Sequence, residues 1–386
     1  MKKKVAFTVL GREGWQAGSV YTINLLRALR ALQPDGLDFS LLLAQKDSYV
    51  PEDMRNLFHE TIFFPSYRRW TLTWWADQGL KRLWGRDLLQ DRFLRRHGIR
   101  IVALGDSPKG SKIPTLSWLP DFQHIHLPEM FSPEECKKRN DSFMRIAQTS
   151  TRIILLSESV KKDFESFAPA YARKARVARP ASYIPATAYE ASPMPVLEAY
   201  RLPEKFIYVP NQLWKHKNHE AVFHAVRLLK EQGLEVIVVC SGNLIDYRHP
   251  DYFSRLLQLT SSLGIRSQIV FLGLIPRPHV FALIRQSLCV LNPSLFEGFG
   301  LASDEAQSLG KQTLLSDIDA HREQNPPEAI FFNPKDREEL AKKMAQVWRE
   351  GLPGPNPERE LRAKARLTER MKEFGEALMS ALKEVL

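Results

Sequence analysis

The chain has 386 residues, 44% hydrophobic and 26% charged, a composition that excludes a disordered or low-complexity protein, and its length exceeds what one core usually serves, so two domains are expected. The net charge of +11 sits in the first half: residues 1–190 hold 30 Lys and Arg against 20 Asp and Glu, while 191–386 hold 25 against 24. Three scattered cysteines, Cys136, Cys240 and Cys289, form no CxxC pair, which excludes a disulfide framework or zinc site and suits a reducing cytoplasm.

The opening "MKKKVAFTVLGREG" places lysines before an apolar run too short for a signal peptide, and reads as a buried strand. From there, apolar runs of strand length alternate with amphipathic stretches: "KVAFTVL", "SVYTINLLRALRAL", "FSLLLA", then "RIVAL", "PTLSWL" and "TRIILLS". That alternation predicts βα units on a parallel sheet. No window reaches the roughly 18 apolar residues of a membrane span, so any membrane contact is expected to be peripheral. Residues 67–100, with nine basic groups, three acidic groups and four tryptophans, are the candidate for contact with an anionic surface. The alternative there is a packed amphipathic helix with a solvated charged face. Pro180, Pro185, Pro193, Pro195 and Pro203 mark an extended linker.

The second half repeats the grammar: "KFIYVP", "LEVIVVC", "QIVFLG", "LCVLNPS" and "KQTLLSD" as strands, with helical stretches between them. Ligands in such sheets bind beyond the carboxyl ends of strands, so functional residues are expected just after these runs. The stretch "NPSLFEGFGLASDEAQSLGKQ", 292–312, is the most informative. Its glycines Gly298 and Gly300 let backbone approach a ligand, the helix opening at Leu301 offers amide donors, and two acids, Glu297 and Glu305, stand eight positions apart.

This stretch resembles the sugar-nucleotide signature of glycosyltransferase family 4 (group 1), retaining enzymes with the GT-B fold. The resemblance implies that Glu297, Gly298, Phe299, Gly300 and Leu301 contact the donor sugar and that Glu305 holds the ribose. "FIYVPNQLWKHKNHEAVFHAV" is similar to the same family's opening of the donor domain and places Lys217 and Asn218 at the diphosphate; Gln212 stands where many members have arginine, and Lys215 is the candidate substitute. "CSGN" brings Ser241 and Gly242 to the phosphates, and the loop from Gly273 to Ile275 would frame the nucleobase. In "SDIDAHREQ", His321 and Glu323 occupy positions where the family often has a stabilising acid.

In the first half, "GREGWQAGSVYTINLLRAL" resembles a glycine loop entering a helix, with Gly18 and Ser19 meeting donor phosphates or acceptor, and "LSWLPDFQHIHLPEMFSPEE" aligns Asp121 with the family's aspartate. Pro120 replaces the family's histidine there, and His124 or His126 is expected to take over its work.

The implied protein is α/β, with two Rossmann-like domains facing across a cleft: 1–185 for the acceptor, a linker over 186–203, 204–355 for the nucleotide sugar, and C-terminal helices over 356–386 returning to the first domain. It is expected to be a cytoplasmic hexosyltransferase whose membrane contact, through residues 67–100, is peripheral. Its donor is a nucleoside-diphosphate sugar and its acceptor a glycan or lipid-linked glycan; no metal, cofactor or nucleic acid is implied, and Asp121, His124, Lys217 and Glu297 are the expected catalytic set. A sugar-nucleotide epimerase of the same architecture, or a non-catalytic nucleotide-sugar-binding protein, are the alternatives.

Overall fold

A computed structural model of the chain describes residues 3–8, 10, 16–32, 36–43, 50, 52–63, 71–72, 75, 79, 88–105 and 110–386. Seven strands, β1 (Lys3–Thr8), β2 (Leu37–Leu43), β3 (Glu60–Phe63), β4 (Ile99–Ala103), β5 (Thr115–Trp118), β6 (Arg152–Leu155) and β7 (Ala175–Val177), form one parallel sheet in the order β3-β2-β1-β4-β5-β6-β7. Six more, β8 (Ile207–Val209), β9 (Val238–Cys240), β10 (Ile269–Phe271), β11 (Val290–Asn292), β12 (Thr313–Ser316) and β13 (Ile330–Phe332), form a second in the order β10-β9-β8-β11-β12-β13. The expected α/β class is therefore present twice. Parallel strands need helical crossovers on both faces, which is why β8, β9 and β11 are apolar and buried at nearly every position.

Both sheets are doubly wound from a central strand. In the second, the chain steps outward from β8 through β9 to β10, then returns to the other side of β8 at β11. The loops leaving β8 and β11 therefore diverge and open a crevice at the carboxyl ends of these strands, as happens between β1 and β4 in the first sheet.

The chain divides into two compact units. Unit 1 comprises Met1–Phe122, Lys137–Ala181 and Arg370–Leu386, and unit 2 comprises Gln123–Cys136 and Ser182–Glu369. These bounds differ from the sequence expectation in three ways. Segment Gln123–Cys136, placed by sequence in the first domain, packs with unit 2. The expected linker is two short helices of unit 2, Ala186–Glu190 and Met194–Tyr200. Pro193 and Pro195 sit at the start of the second helix, where a missing N–H breaks no helical hydrogen bond. The C-terminal helices are one helix of 27 residues, Pro357–Lys383, whose last part from Arg370 belongs to unit 1.

Within unit 1 that helix packs closely on helix Gln16–Ala31: a Cβ at Gly375 would lie 2.7 Å from the Ala28 carbonyl oxygen. Beyond the helix end, Glu384 accepts from Arg152 Nε (2.7 Å) and Arg176 Nη2 (2.6 Å), and these hydrogen bonds pull its carboxyl down to about 2. Of the tryptophan-rich stretch 67–100, Arg68, Arg69, Trp70, Trp74, Lys81, Arg82 and Trp84 lie outside the described residues. No helix among the described residues is long and apolar enough to cross a membrane.

Candidate functional site

The crevice between β8 and β11 in unit 2 gathers most of the expected residues. After β8 the chain makes a 3-10 turn, Lys215–Lys217, and Asn218 follows in the left-handed region at φ 56°. Asn218 Nδ2 donates to the carbonyls of Pro293 (3.1 Å) and Pro334 (3.0 Å), and the Leu295 amide donates to the His216 carbonyl (2.9 Å). Loop 210–217 is thereby tied to loop 293–300. As a result Lys217 Nζ stands 2.6 Å from Glu297 Oε1, with only 16% and 11% of these side chains exposed.

The pair rests on a buried polar network at the end of β11. The Ser294 hydroxyl lies 2.6 Å from Glu297 Oε1 and 2.7 Å from Asn292 Oδ1, and Asn211 Nδ2 donates to the same Asn292 oxygen at 2.9 Å. His321 Nδ1 is 2.9 Å from the Ser316 carbonyl oxygen, so Nδ1 carries the proton and Nε2 accepts from Asn292 Nδ2 at 3.1 Å. Burial holds His321 below the usual imidazole value, in keeping with this neutral tautomer. Burial would raise the Glu297 carboxyl, but the Lys217 ammonium and the hydrogen bonds from Lys217 and Ser294 outweigh it and hold it below the usual carboxylate range. The site thus keeps a fixed negative charge beside a fixed positive one.

The helix Leu301–Ser308 starts at Gly300, whose φ of 94° suits glycine, and no side chain of that residue caps it. Gln324 Nε2 holds the Phe299 and Gly300 carbonyls at 2.5 and 3.1 Å, which sets the loop Gly298, Phe299, Gly300 ahead of Leu301. Glu305, in the second turn, is gripped by Arg277, with Nη2 2.5 Å from Oε1 and Nη1 3.3 Å from Oε2. Arg277 begins helix Arg277–Gln286, directly after the loop holding Gly273 and Ile275, and its guanidinium lies 4.7 Å from the Phe281 ring centre.

Sequence reasoning missed Arg277, although one signal existed. A cation in the first turn of a helix opposes the macrodipole and calls for an acidic partner. It also missed Asn211, Asn292, Ser294 and Ser316, whose clue was polar side chains at the ends of apolar runs, and Gln324, at the end of the short helix Asp319–Gln324.

Other expected residues have their own partners. The Ser241 hydroxyl is 2.5 Å from Tyr208 Oη, and the Gly242 amide donates to the Gly273 carbonyl at 2.8 Å. The Lys215 amide donates to Asp246 Oδ2 at 3.1 Å, Gln212 is half-buried, and its carbonyl accepts from Trp214 N at 2.7 Å. In unit 1, Gly18 and Ser19 lie within helix Gln16–Ala31, where the Gly18 carbonyl accepts from Thr22 Oγ1, so they do not form a loop; residues 11–15 lie outside the described set. Asp121 Oδ1 is 3.7 Å from Arg139 Nη1 within unit 1. His124 is buried in the short helix Gln123–His126 of unit 2, and His126 stacks on Phe296 with ring centres 4.8 Å apart. The expected placement of Asp121 and His124 together in the first domain is therefore corrected: the unit boundary falls between them, because the segment beginning at Gln123 packs with unit 2.

These neutral buried imidazoles give unit 2 a predicted pH response. Burial pushes His219 down to about 3 and holds His321 below its usual value. Below a pH near 6.5 the unfolded chain binds protons that the folded imidazoles refuse, so stability is complete above that pH and falls as pH falls. For His219 the loss by pH 5 is about 2 kcal/mol. Calorimetry at pH 7.5 and 5 is expected to show unit 2 melting earlier at pH 5, and His219→Leu is expected to flatten the dependence. Identical melts of the wild type at both values would contradict it.

Two open parallel sheets, with a buried lysine–carboxylate pair at the switch point of the second, place the chain in the GT-B class of α/β folds. Residues 198–368 match the family model Glycosyl transferases group 1. The serotype-specific mannosyltransferase WbdA of Escherichia coli is 33% identical over 151 residues, 39% of this chain and 18% of that protein, so the chain spans under a fifth of that relative's length. Among solved structures, HepE of Anabaena in complex with UDP and glucose shares the fold at TM-score 0.69 and 15% identity, with 99% of each chain covered. A glycosyltransferase from Rickettsia africae does so at TM-score 0.69 and 16% identity, covering 100% of this chain and 98% of that one.

Proposed function

We propose that the protein transfers a hexose from a nucleoside-diphosphate sugar to a glycan or lipid-linked glycan during cell-surface polysaccharide synthesis, retaining the anomeric configuration. The observation that carries this reading is the Lys217–Glu297 pair, 2.6 Å apart at the switch point. When the glycosidic bond breaks, charge grows on the diphosphate; Lys217 and the backbone amides at the start of helix Leu301–Ser308 answer it in place, so the reading needs no metal. Glu297 accepts from sugar hydroxyls and stabilises positive charge at the anomeric carbon. Glu305, oriented by Arg277, accepts from the ribose. The departing phosphate takes the acceptor's proton on the same face.

Two names among the similar proteins support a hexose donor: WbdA is called a mannosyltransferase and HepE holds UDP and glucose. The test is calorimetry and thermal melting with GDP-mannose and UDP-glucose in EDTA. A ligand at a hundred times its Kd is expected to stabilise the folded chain by about 2.7 kcal/mol. NMR of the product is expected to show the donor's anomeric configuration. The reading fails if neither compound nor its free nucleotide binds, and retention fails if the product is inverted.

A further inference from the structure

Arg248 belongs to no motif recognised in the sequence, yet its side chain is only 2% exposed. Its Nε lies 3.4 Å from Asp246 Oδ1, Nη1 donates to Gln123 Oε1 at 3.2 Å, and Nη2 donates to His216 Nδ1 at 3.2 Å. The guanidinium also lies 4.6 Å from the Phe131 ring centre, 5.3 Å from that of Trp214 and 5.6 Å from that of Tyr247. Asp246 itself fixes this loop, since its carboxylate also accepts the amides of Arg248 and Lys215, each at 3.1 Å.

These contacts join two things far apart in the chain. One is segment Gln123–Cys136, which carries His124 and His126 and packs with unit 2 although chain belonging to unit 1 flanks it on both sides. The other is His216, which precedes Lys217 and whose carbonyl accepts from the Leu295 amide, two residues before Glu297. The His126 ring, stacked on Phe296, reaches that same loop. A planar fork that reaches two acceptors while stacking on rings is work for guanidinium, not for ammonium.

We propose that Arg248 is a positioning residue: it holds the histidine-bearing helix Gln123–His126 in register with the Lys217–Glu297 pair, so that these histidines serve the donor-binding unit. The proposal rests on the function proposed above for its kinetic consequence, and on geometry alone for the clamp.

The test compares wild type with Arg248→Met, Arg248→Lys and Gln123→Met. The last of these keeps Arg248 paired with Asp246 and guards against simple misfolding. By hydrogen exchange, amides of 123–136 are expected to exchange at least tenfold faster in all three variants, while those of β8 and β11 stay at wild-type rates. Where GDP-mannose or UDP-glucose is turned over, kcat is expected to fall tenfold or more with KM for the donor within threefold, and Arg248→Lys is expected not to rescue it. Unchanged exchange in 123–136 overturns the clamp. Faster exchange with unchanged kcat overturns the positioning role, as does uniform acceleration of exchange throughout unit 2 in Gln123→Met. If neither sugar nucleotide binds the wild type, the proposed function fails while the exchange comparison still decides whether Arg248 holds the segment.

Discussion

Lys217→Met is expected to lower donor turnover by about 10²–10³-fold, the usual cost of removing one preorganised group that answers developing charge. Donor affinity should fall with it, because the diphosphate loses its nearest cation. The variant is also expected to lose stability, since Glu297 keeps its buried setting without its partner. Breaking a fully buried pair costs about 3–5 kcal/mol; here 16% and 11% of the two side chains remain exposed, and Glu297 retains the Ser294 hydroxyl, so about 2 kcal/mol is the expected loss. The carboxyl should titrate higher in the variant, because burial then acts with no ammonium against it. Calorimetric titration of the donor and thermal melts check both halves. Wild-type affinity and turnover in a folded variant would remove Lys217 from the site.

Gly242→Ala is expected to destabilise unit 2 by about 3–4 kcal/mol, summing a disfavoured backbone conformation and an overpacked contact. At φ 137° an alanine is strained whatever the space around it, and here a Cβ would also lie 2.7 Å from the Asn211 carbonyl oxygen and 2.8 Å from Gln212 Cα. These are backbone atoms, so no rotamer change relieves the clash. The loop that must give way leads to Lys217, so donor affinity should suffer as well. Gly233 is the control: its φ is 74°, nothing lies within 4 Å of an added Cβ, and alanine there should cost about 1 kcal/mol. At roughly 2–4 °C per kcal/mol, the first variant should melt about 10 °C lower and the control only a few degrees. Equal shifts would show that close packing at Gly242 is not what matters.

The legible parts of the chain were those set by local rules. The apolar runs around Val5, Ile101, Val238 and Leu291 became strands because continuous apolar stretches between amphipathic ones have few other ways to be buried. Lys217, Glu297 and Glu305 stood out through ordered motifs at strand ends, and the structure sets the first two side by side and pairs the third with Arg277. Strands β3, β7 and β13 were missed because "ETIF", "ARV" and "IFF" are only three or four residues long and show no periodicity. The prolines before β8 suggested an extended chain, since their spacing does not reveal which will open a helix. Placement of Gln123–Cys136 depends on Arg248, 125 residues from Gln123, and no local pattern reports a contact of that range. The position of Arg277 in a first helical turn hinted at an acidic partner, but that the partner is Glu305, 28 residues away, was hidden for the same reason.

The interleaving of the two units bears on how the protein is made. A ribosome releases Met1–Phe122 and Lys137–Ala181 early, yet unit 1 also includes Arg370–Leu386, with Glu384 joining Arg152 and Arg176. Nascent unit 1 therefore waits, unfinished, through synthesis of nearly all of unit 2, while Gln123–Cys136 waits for Arg248 to be added. Nor can the gene be cut once to yield both halves: a break near residue 182 deprives unit 1 of its closing helix and unit 2 of its histidine-bearing segment. Domains usually mature in order from the N-terminus as they emerge; here residues 370–386, made after nearly all of unit 2, complete a unit that includes residues 1–122, and deleting 370–386 should harm unit 1 before unit 2.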